Sequence, residues 1–332
     1  MKRIFSAFFA LTIIASLLCR NVAPTKAEAA KQLSIVTTIF PEYDWVRQIL
    51  GDKFSDSDVT MLLDNGVDLH SYQPTVDDIV KIATCDLFIY VGGESDSWVE
   101  DALKHSVNKD MKVINLLEVL GDSVKAEETV EGMQETAHDH DEDDEDDDHE
   151  EHEEEKDEHV WLSLKNAKAL CDAISKALQE LDPDSKDIYA ANAEAYEKQL
   201  SALDEKYQEA VDNAAYKTLL FGDRFPFRYL TDDYGLRYYA AFSGCSAESE
   251  ASFDTIHFLA KKLDELELPC ILTIEGAKHR IAQTIVENTA KKNQTILSID
   301  SMQSTTSKDV AQGTTYLSVM EKNLDVLTDA LG

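Results

Sequence analysis

Three separated strings in the 332-residue chain carry side chains suited to binding a divalent cation. His70 stands in Asp68-Leu69-His70-Ser71-Tyr72-Gln73-Pro74, His159 in Glu158-His159-Val160-Trp161-Leu162, and Asp300 in Leu297-Ser298-Ile299-Asp300-Ser301-Met302. Asp223, beside Arg224, and Glu275 add two more carboxylates. Neutral imidazole suits Zn²⁺, and carboxylate oxygens add charge neutralisation and admit a harder ion such as Mn²⁺. One at a time these residues decide nothing. A single loop histidine is more often a surface or structural residue than a ligand, and His159 also closes a run rich in acid and histidine. The sequence has no HExxH helix and no general base paired with an open coordination position, which counts against a metallohydrolase.

The elements around these residues give them a common setting. Leu33–Thr38 reads as a strand, and Pro41–Gly51 as a helix with Tyr43, Val46, Ile49 and Leu50 on one face. Val59–Leu63 is a second strand, and Thr75–Thr84 a helix with Thr75 as N-cap and Asp78 three residues on. Asp86–Val91 and Val113–Leu117 are the third and fourth strands. After an acidic insertion, Leu164–Leu181 and Asp184–Asn213 read as helices. The second lacks Gly and Pro and, at 1.5 Å per residue, makes a rod of roughly 40 Å. A second block repeats the layout: strands Thr218–Phe221, Tyr238–Phe242, Cys270–Ile274 and Thr295–Ile299, with helices Phe225–Tyr234, Ser249–Leu266, Lys278–Lys292 and Thr314–Leu331. Strands alternating with helices imply parallel sheets, so the fold class is α/β: two similar parallel-sheet lobes joined by one long rigid helix. The expected lobes span 31–183 and 214–332, with the connecting helix at 184–213. Ligands of such sheets bind beyond the carboxyl ends of the strands, where His70, Asp223, Glu275 and Asp300 all fall.

Charge narrows the partners. The formal net charge is −34, and the stretch from His138 to Glu158 alone carries −15. A polyanion of this kind repels nucleic acid, so cations are its natural partners. Residues 126–158 are too densely like-charged to collapse and read as a disordered loop. Its His138, His140, His149 and His152 form a weak accessory cation trap, or else an incidental feature of a solvated spacer. At the N-terminus, Lys2 and Arg3 precede an apolar run from Ile4 to Leu18, the pattern of an export signal within residues 1–30. Cys19 follows, so membrane attachment through a lipid on Cys19 and simple secretion both stay open. Cys85, Cys171, Cys245 and Cys270 show no metal-motif spacing.

The strings around His70, His159 and Asp300, in this order and with the acidic insertion ahead of the second histidine, resemble one family. It is the solute-binding receptors of bacterial zinc and manganese ABC importers, and the likeness runs from about Leu33 to Leu331. The resemblance implies an extracytoplasmic, non-enzymatic receptor holding Zn²⁺, or Mn²⁺, between two lobes and docking on an ABC permease. A monomer is expected. His70 and His159 would come from the first lobe, and Asp300 and a further residue from the second. At that further position, usually His or Glu, this chain has Arg224, ahead of Tyr234-Gly235-Leu236. Arginine stays protonated and cannot bind a cation. Asp223 or Glu275 therefore takes its place, or the site keeps three protein ligands and a water. Arg224 is then free to pair with Asp300 or Glu275. Cys245, in Ser243-Gly244-Cys245-Ser246, reads as a small buried residue in a glycine turn in preference to a thiolate ligand. His105, His257 and His279 read as structural or surface residues, and Trp45, Trp98 and Trp161 as core. Competing functions are a zinc-dependent hydrolase built on the same His/Asp cluster and a surface adhesion or cation-buffering protein.

Overall fold

Strands of a parallel sheet covered on both faces need near-continuous apolar runs, and each half of the chain supplies four. A computed structural model describes residues 32–134, 155–246, 250–276 and 278–332. In the first half, β1 (Ser34–Thr37), β2 (Asp58–Met61), β3 (Leu87–Tyr90) and β4 (Lys112–Asn115) pair in parallel in the order β2-β1-β3-β4. Helices α1 (Phe40–Leu50), α2 (Val76–Thr84), α3 (Val99–Lys104), α4 (Leu116–Leu120) and α5 (Leu164–Leu181) accompany them. Ile35, Phe88 and Ile89 are wholly buried between the helical layers.

Helix α6 (Lys186–Asn213) follows, 28 residues long and so about 42 Å. Its buried positions, Tyr189, Ala193, Tyr196, Leu200, Leu203, Tyr207 and Val211, recur every three or four residues as one stripe. The stripe packs on α1 and α5 at one end. Near the other end the Tyr207 hydroxyl donates to the Met320 carbonyl at 2.7 Å. One helix therefore buries its apolar face against both halves.

The second half repeats the order. Strands β5 (Thr218–Phe225), β6 (Arg237–Ser243), β7 (Cys270–Ile274) and β8 (Thr295–Ile299) form a parallel sheet arranged β6-β5-β7-β8. Helices α7 (Arg228–Tyr234), α8 (Phe253–Glu265), α9 (Arg280–Glu287), α10 (Ser307–Ala311) and α11 (Tyr316–Leu331) complete it. The chain is thus two parallel-sheet α/β lobes and a long helix. Gln32–Gly332 pack as one unit, and no helix among the described residues is long and apolar enough to cross a membrane.

The lobes meet through aromatic groups and hydrogen bonds. Trp45 lies edge-on to Tyr316 with ring centroids 5.2 Å apart. The Tyr316 hydroxyl donates to the Trp161 carbonyl at 2.7 Å, and the Trp161 indole N–H donates to the Ser301 carbonyl at 2.9 Å. Asp44, buried on α1, accepts from the Tyr316 backbone N–H at 2.9 Å. Ordered residues from the second lobe therefore hold the turn that follows His159.

Three expectations change. The fifth strand runs on to Phe225, with a register shift between Phe221 and Arg224, and its helix starts only at Arg228. Phe225 precedes Pro226, and the residue before proline is sterically disfavoured in helical geometry. The helix expected from Ser249 starts at Phe253, because Ser252 caps it by accepting from the Thr255 N–H. The flanks of the acidic insertion are ordered, contrary to a disordered stretch from 126 to 158. Ala126 bridges antiparallel to Lys156, the Glu127 N–H donates to the Glu155 carbonyl at 2.8 Å, and the Asp157 N–H donates to the Lys125 carbonyl at 2.9 Å. The expected export signal, Cys19 and the four insertion histidines lie outside the described residues.

Candidate metal centre

His70 sits on the loop after β2, in a single tight turn, Leu69–Ser71. Asp68 caps that turn by accepting from the His70 N–H at 3.1 Å, and Leu69 plugs the core beneath it. The Tyr72–Pro74 stretch then leads into α2, where Thr75 and Asp78 form a reciprocal capping box. The imidazole is fixed from behind. Its Nδ1 lies 2.7 Å from the Ser95 hydroxyl, on the loop after β3, and 3.5 Å from Glu158 Oε2. His70 Nε2 is left facing forward.

His159 is fully buried. Asp157 Oδ1 accepts from its backbone N–H at 2.9 Å and lies 3.0 Å from its Nδ1. A carboxylate only accepts, so Nδ1 carries the proton and Nε2 presents a lone pair. The ring packs on Trp161 at 5.2 Å between centroids. His159 Nε2 then lies 3.2 Å from His70 Nε2. Two nitrogens bound at about 2.0–2.1 Å to one tetrahedral zinc stand about 3.3 Å apart, so the pair is already spaced for a shared ion. Burial holds the His70 imidazole down to about 3, helped by His159 and Arg224 and opposed by Asp68, so the ring is neutral and metal-competent.

Cys245 joins them from the second lobe, on the turn after β6. One ligand atom each from His70, His159 and Cys245 lie within 4.8 Å of one another, the one such group of His, Cys, Asp and Glu among the described residues. Gly244 makes the approach possible. A Cβ there would meet the Phe225 carbonyl at 2.9 Å and His159 Cε1 at 3.0 Å. The Cys245 N–H donates to Glu127 Oε1 at 2.9 Å. Burial and the carboxylates of Glu127, Asp157 and Glu158 push its thiol up, so without a cation it keeps its proton.

Acid surrounds the approach. Glu158 is buried, and among the described residues its Oε2 has no hydrogen-bond partner while its Oε1 accepts from the Ser95 N–H at 2.9 Å. Gly93, at φ +84°, leaves room for it: a Cβ would stand 2.4 Å from Glu158 Oε1. A cavity of about 570 Å³ is lined by His70, Cys245, Glu94, Asp101, Glu127, Glu155 and Glu158. Its rim includes the ordered end of the acidic insertion at Glu155 and Lys156.

A sequence model of the family described as zinc-uptake complex component A, periplasmic (ZnuA), matches residues 35–330. The chain belongs to this family. Zinc-binding lipoprotein AdcA of Streptococcus pneumoniae is 31% identical over 327 residues, which are 98% of this chain and 60% of the relative. The chain thus spans 60% of the length of that relative. The high-affinity zinc uptake protein ZnuA of Bacillus subtilis is 30% identical over 316 residues, covering 94% of this chain and 92% of the relative. The solved Zn(II)-bound ZnuA-like domain of S. pneumoniae AdcA matches at TM-score 0.68 and 29% identity, covering 91% of this chain and 99% of that one.

In this ZnuA-family chain the structure brings together His70 and His159, both named from the sequence, and sets Cys245, read from the sequence as a small residue in a glycine turn, beside them. Asp300, Asp223 and Glu275 lie outside the trio. Asp300 Oδ1 accepts from the Met302 N–H at 2.8 Å, and burial with the neighbouring Glu275 raises its carboxyl to about 6. Glu275 ties down the turn after β8, accepting from the Ser301 N–H and hydroxyl at 2.7 Å each. Asp223 accepts from the Arg224 N–H at 2.9 Å and lines a different cavity with Glu275 and His279. It is no helix cap either, since it lies within β5. Arg224 pairs with neither Asp300 nor Glu275: its guanidinium reaches across the lobes to Asp68 Oδ2 at 2.5 Å. Asp157 and Ser95, which set the two rings, were missed. Asp157 is one acid among many in its run, and Ser95 lies 25 residues from its histidine, so neither left a local signal.

Proposed function

We propose that the chain is an extracytoplasmic receptor that captures Zn²⁺ between its lobes and delivers it to an ABC importer. The observation that carries this reading is the 3.2 Å approach of His70 Nε2 and His159 Nε2, from residues 89 apart in the sequence. The printed names of the relatives, a zinc-binding lipoprotein and a zinc uptake protein, point the same way. His70 and His159 supply the nitrogens. Asp300 is the carboxylate assigned from the second lobe. Burial and Glu275 hold it up at about 6, and an arriving cation relieves that repulsion. Asp223 and Glu275 remain outside the coordinating set, Glu275 as the anchor of the Asp300 turn. Mn²⁺ is the second-choice cargo.

Binding of the ion by groups from both lobes fixes their relative position, and that fixed pair of surfaces is what a permease would recognise. The receptor acts as a monomer, held to the membrane by an acyl chain on Cys19. His138, His140, His149 and His152 act as a weak accessory cation trap. Nothing in this role calls for turnover. Titration calorimetry of His70→Ala and His159→Ala tests it: each is expected to weaken zinc binding by orders of magnitude, and wild-type affinity in both would sink it.

A further inference from the structure

We propose that Cys245 is the third protein ligand, so that the ion sits on two imidazole nitrogens and one thiolate sulfur and Zn²⁺ is favoured over Mn²⁺. This inference rests on the zinc-receptor reading and adds to it the identity of a ligand and the source of selectivity. Position 224, where the family resemblance implies a ligand, is filled by a guanidinium committed to Asp68. The sulfur comes from the neighbouring strand end. In a tetrahedral site with Zn–N of about 2.0–2.1 Å and Zn–S of about 2.3 Å, sulfur and nitrogen stand about 3.6 Å apart. The ligand atoms of the trio are already within 4.8 Å of one another, not far from that spacing.

The turn is built for that contact. Gly244 lies against the His159 ring, where any Cβ would come within about 3 Å of it. Glu127 Oε1 holds the Cys245 N–H, and the acid-lined cavity opens on both His70 and Cys245. The thiolate also adds a negative charge directly on the ion, which two neutral imidazoles lack. As the Zn–S bond forms, the S–H bond breaks and its proton passes to solvent. Selectivity follows from the sulfur: thiolate is a soft ligand that suits zinc, whereas Mn²⁺ prefers a larger set of oxygens.

The test uses the full mature chain loaded with Co²⁺, Zn²⁺ or Mn²⁺. Wild type is expected to show a near-ultraviolet thiolate-to-cobalt charge-transfer band that Cys245→Ser lacks. Zinc affinity of Cys245→Ser should fall by at least about tenfold, with manganese affinity changed far less. His70→Ala separates the two levels of argument. If it keeps tight zinc binding, the receptor reading fails. If it loses zinc binding while Cys245→Ser matches wild type and wild type shows no band, only the Cys245 assignment falls. Should Cys245→Ser misfold, alkylation of wild type with iodoacetamide, read by mass spectrometry, decides instead. Zinc is expected to protect Cys245, and an unchanged rate would overturn the proposal.

Discussion

Asp157 offers a graded test of how the site is held. Its Oδ1 accepts from the His159 backbone N–H at 2.9 Å and lies 3.0 Å from the ring Nδ1. Asp157→Asn keeps an acceptor in place but removes the charge. A hydrogen bond to a charged group contributes about 1.5–3 kcal/mol against about 0.5–1.5 for a neutral one. The midpoints of those ranges differ by about 1.3 kcal/mol, close to a tenfold loss in zinc affinity. Asp157→Ala removes both contacts. The imidazole can then take either tautomer, and loss of such an orienting carboxylate typically costs up to about 100-fold in metal affinity. The buried His159 N–H is also left without an acceptor, a penalty of about 1–3 kcal/mol. Chelator-competition titrations should therefore rank wild type above Asn above Ala, and thermal unfolding of the metal-free protein should show the Ala variant melting a few degrees lower. Wild-type affinity in Asp157→Ala, or an Asn variant weaker than the Ala one, would refute this account of His159.

Other outcomes follow from the same geometry. Gly244→Ala places a methyl 3.0 Å from His159 Cε1, and overpacking of this kind costs about 1–3 kcal/mol; zinc affinity and melting temperature should both fall, as a titration and a melt would show. The His70 pKa, held near 3 against an ordinary 6.5, means that stability drawn from the neutral ring is complete above pH 6.5 and drains away as pH falls toward 3; His70→Gln should flatten the denaturation midpoint of the metal-free protein across that window. Asp300 has the opposite sign. Its carboxyl is raised to about 6, so its favourable protonated state is lost as pH rises through 6, and Asp300→Asn should stabilise metal-free protein at pH 7.5 but not at pH 4 while weakening zinc binding. Removal of residues 135–154 should lower zinc stoichiometry and leave one tight site, as equilibrium dialysis would report; loss of the tight site would contradict the division of roles.

Much of this was legible in the sequence where the signal is local. The apolar runs of β1, β3, β5 and β7 and the uninterrupted helix-forming stretch of α6 announce two α/β lobes and a connector without tertiary information. His70 and His159 stood out because they fall at a strand end and at the close of an acidic run. The third member of the trio did not, because a cysteine in a Ser-Gly-Cys-Ser turn has the same appearance whether it fills a gap or faces a partner 86 residues away. Arg224 signalled that something had changed, yet its partner Asp68 is 156 residues distant and could not be chosen from sequence. The boundary of the acidic insertion is hidden in the sequence for a related reason. Charge density predicts failure to collapse, but Glu127 and Glu128 each find a donor on the opposite lobe, Cys245 for one and Tyr238 for the other.

Those ordered flanks have a wider consequence. Ala126 and Lys156 are bridged in antiparallel fashion, so the two roots of the insertion stand about 5 Å apart. For a flexible connection between fixed ends, each doubling of length adds only about 0.6 kcal/mol of closure entropy. The number of residues between the clasped roots can therefore change while Asp157, whose N–H is held by the Lys125 carbonyl, keeps its place beside the His159 ring.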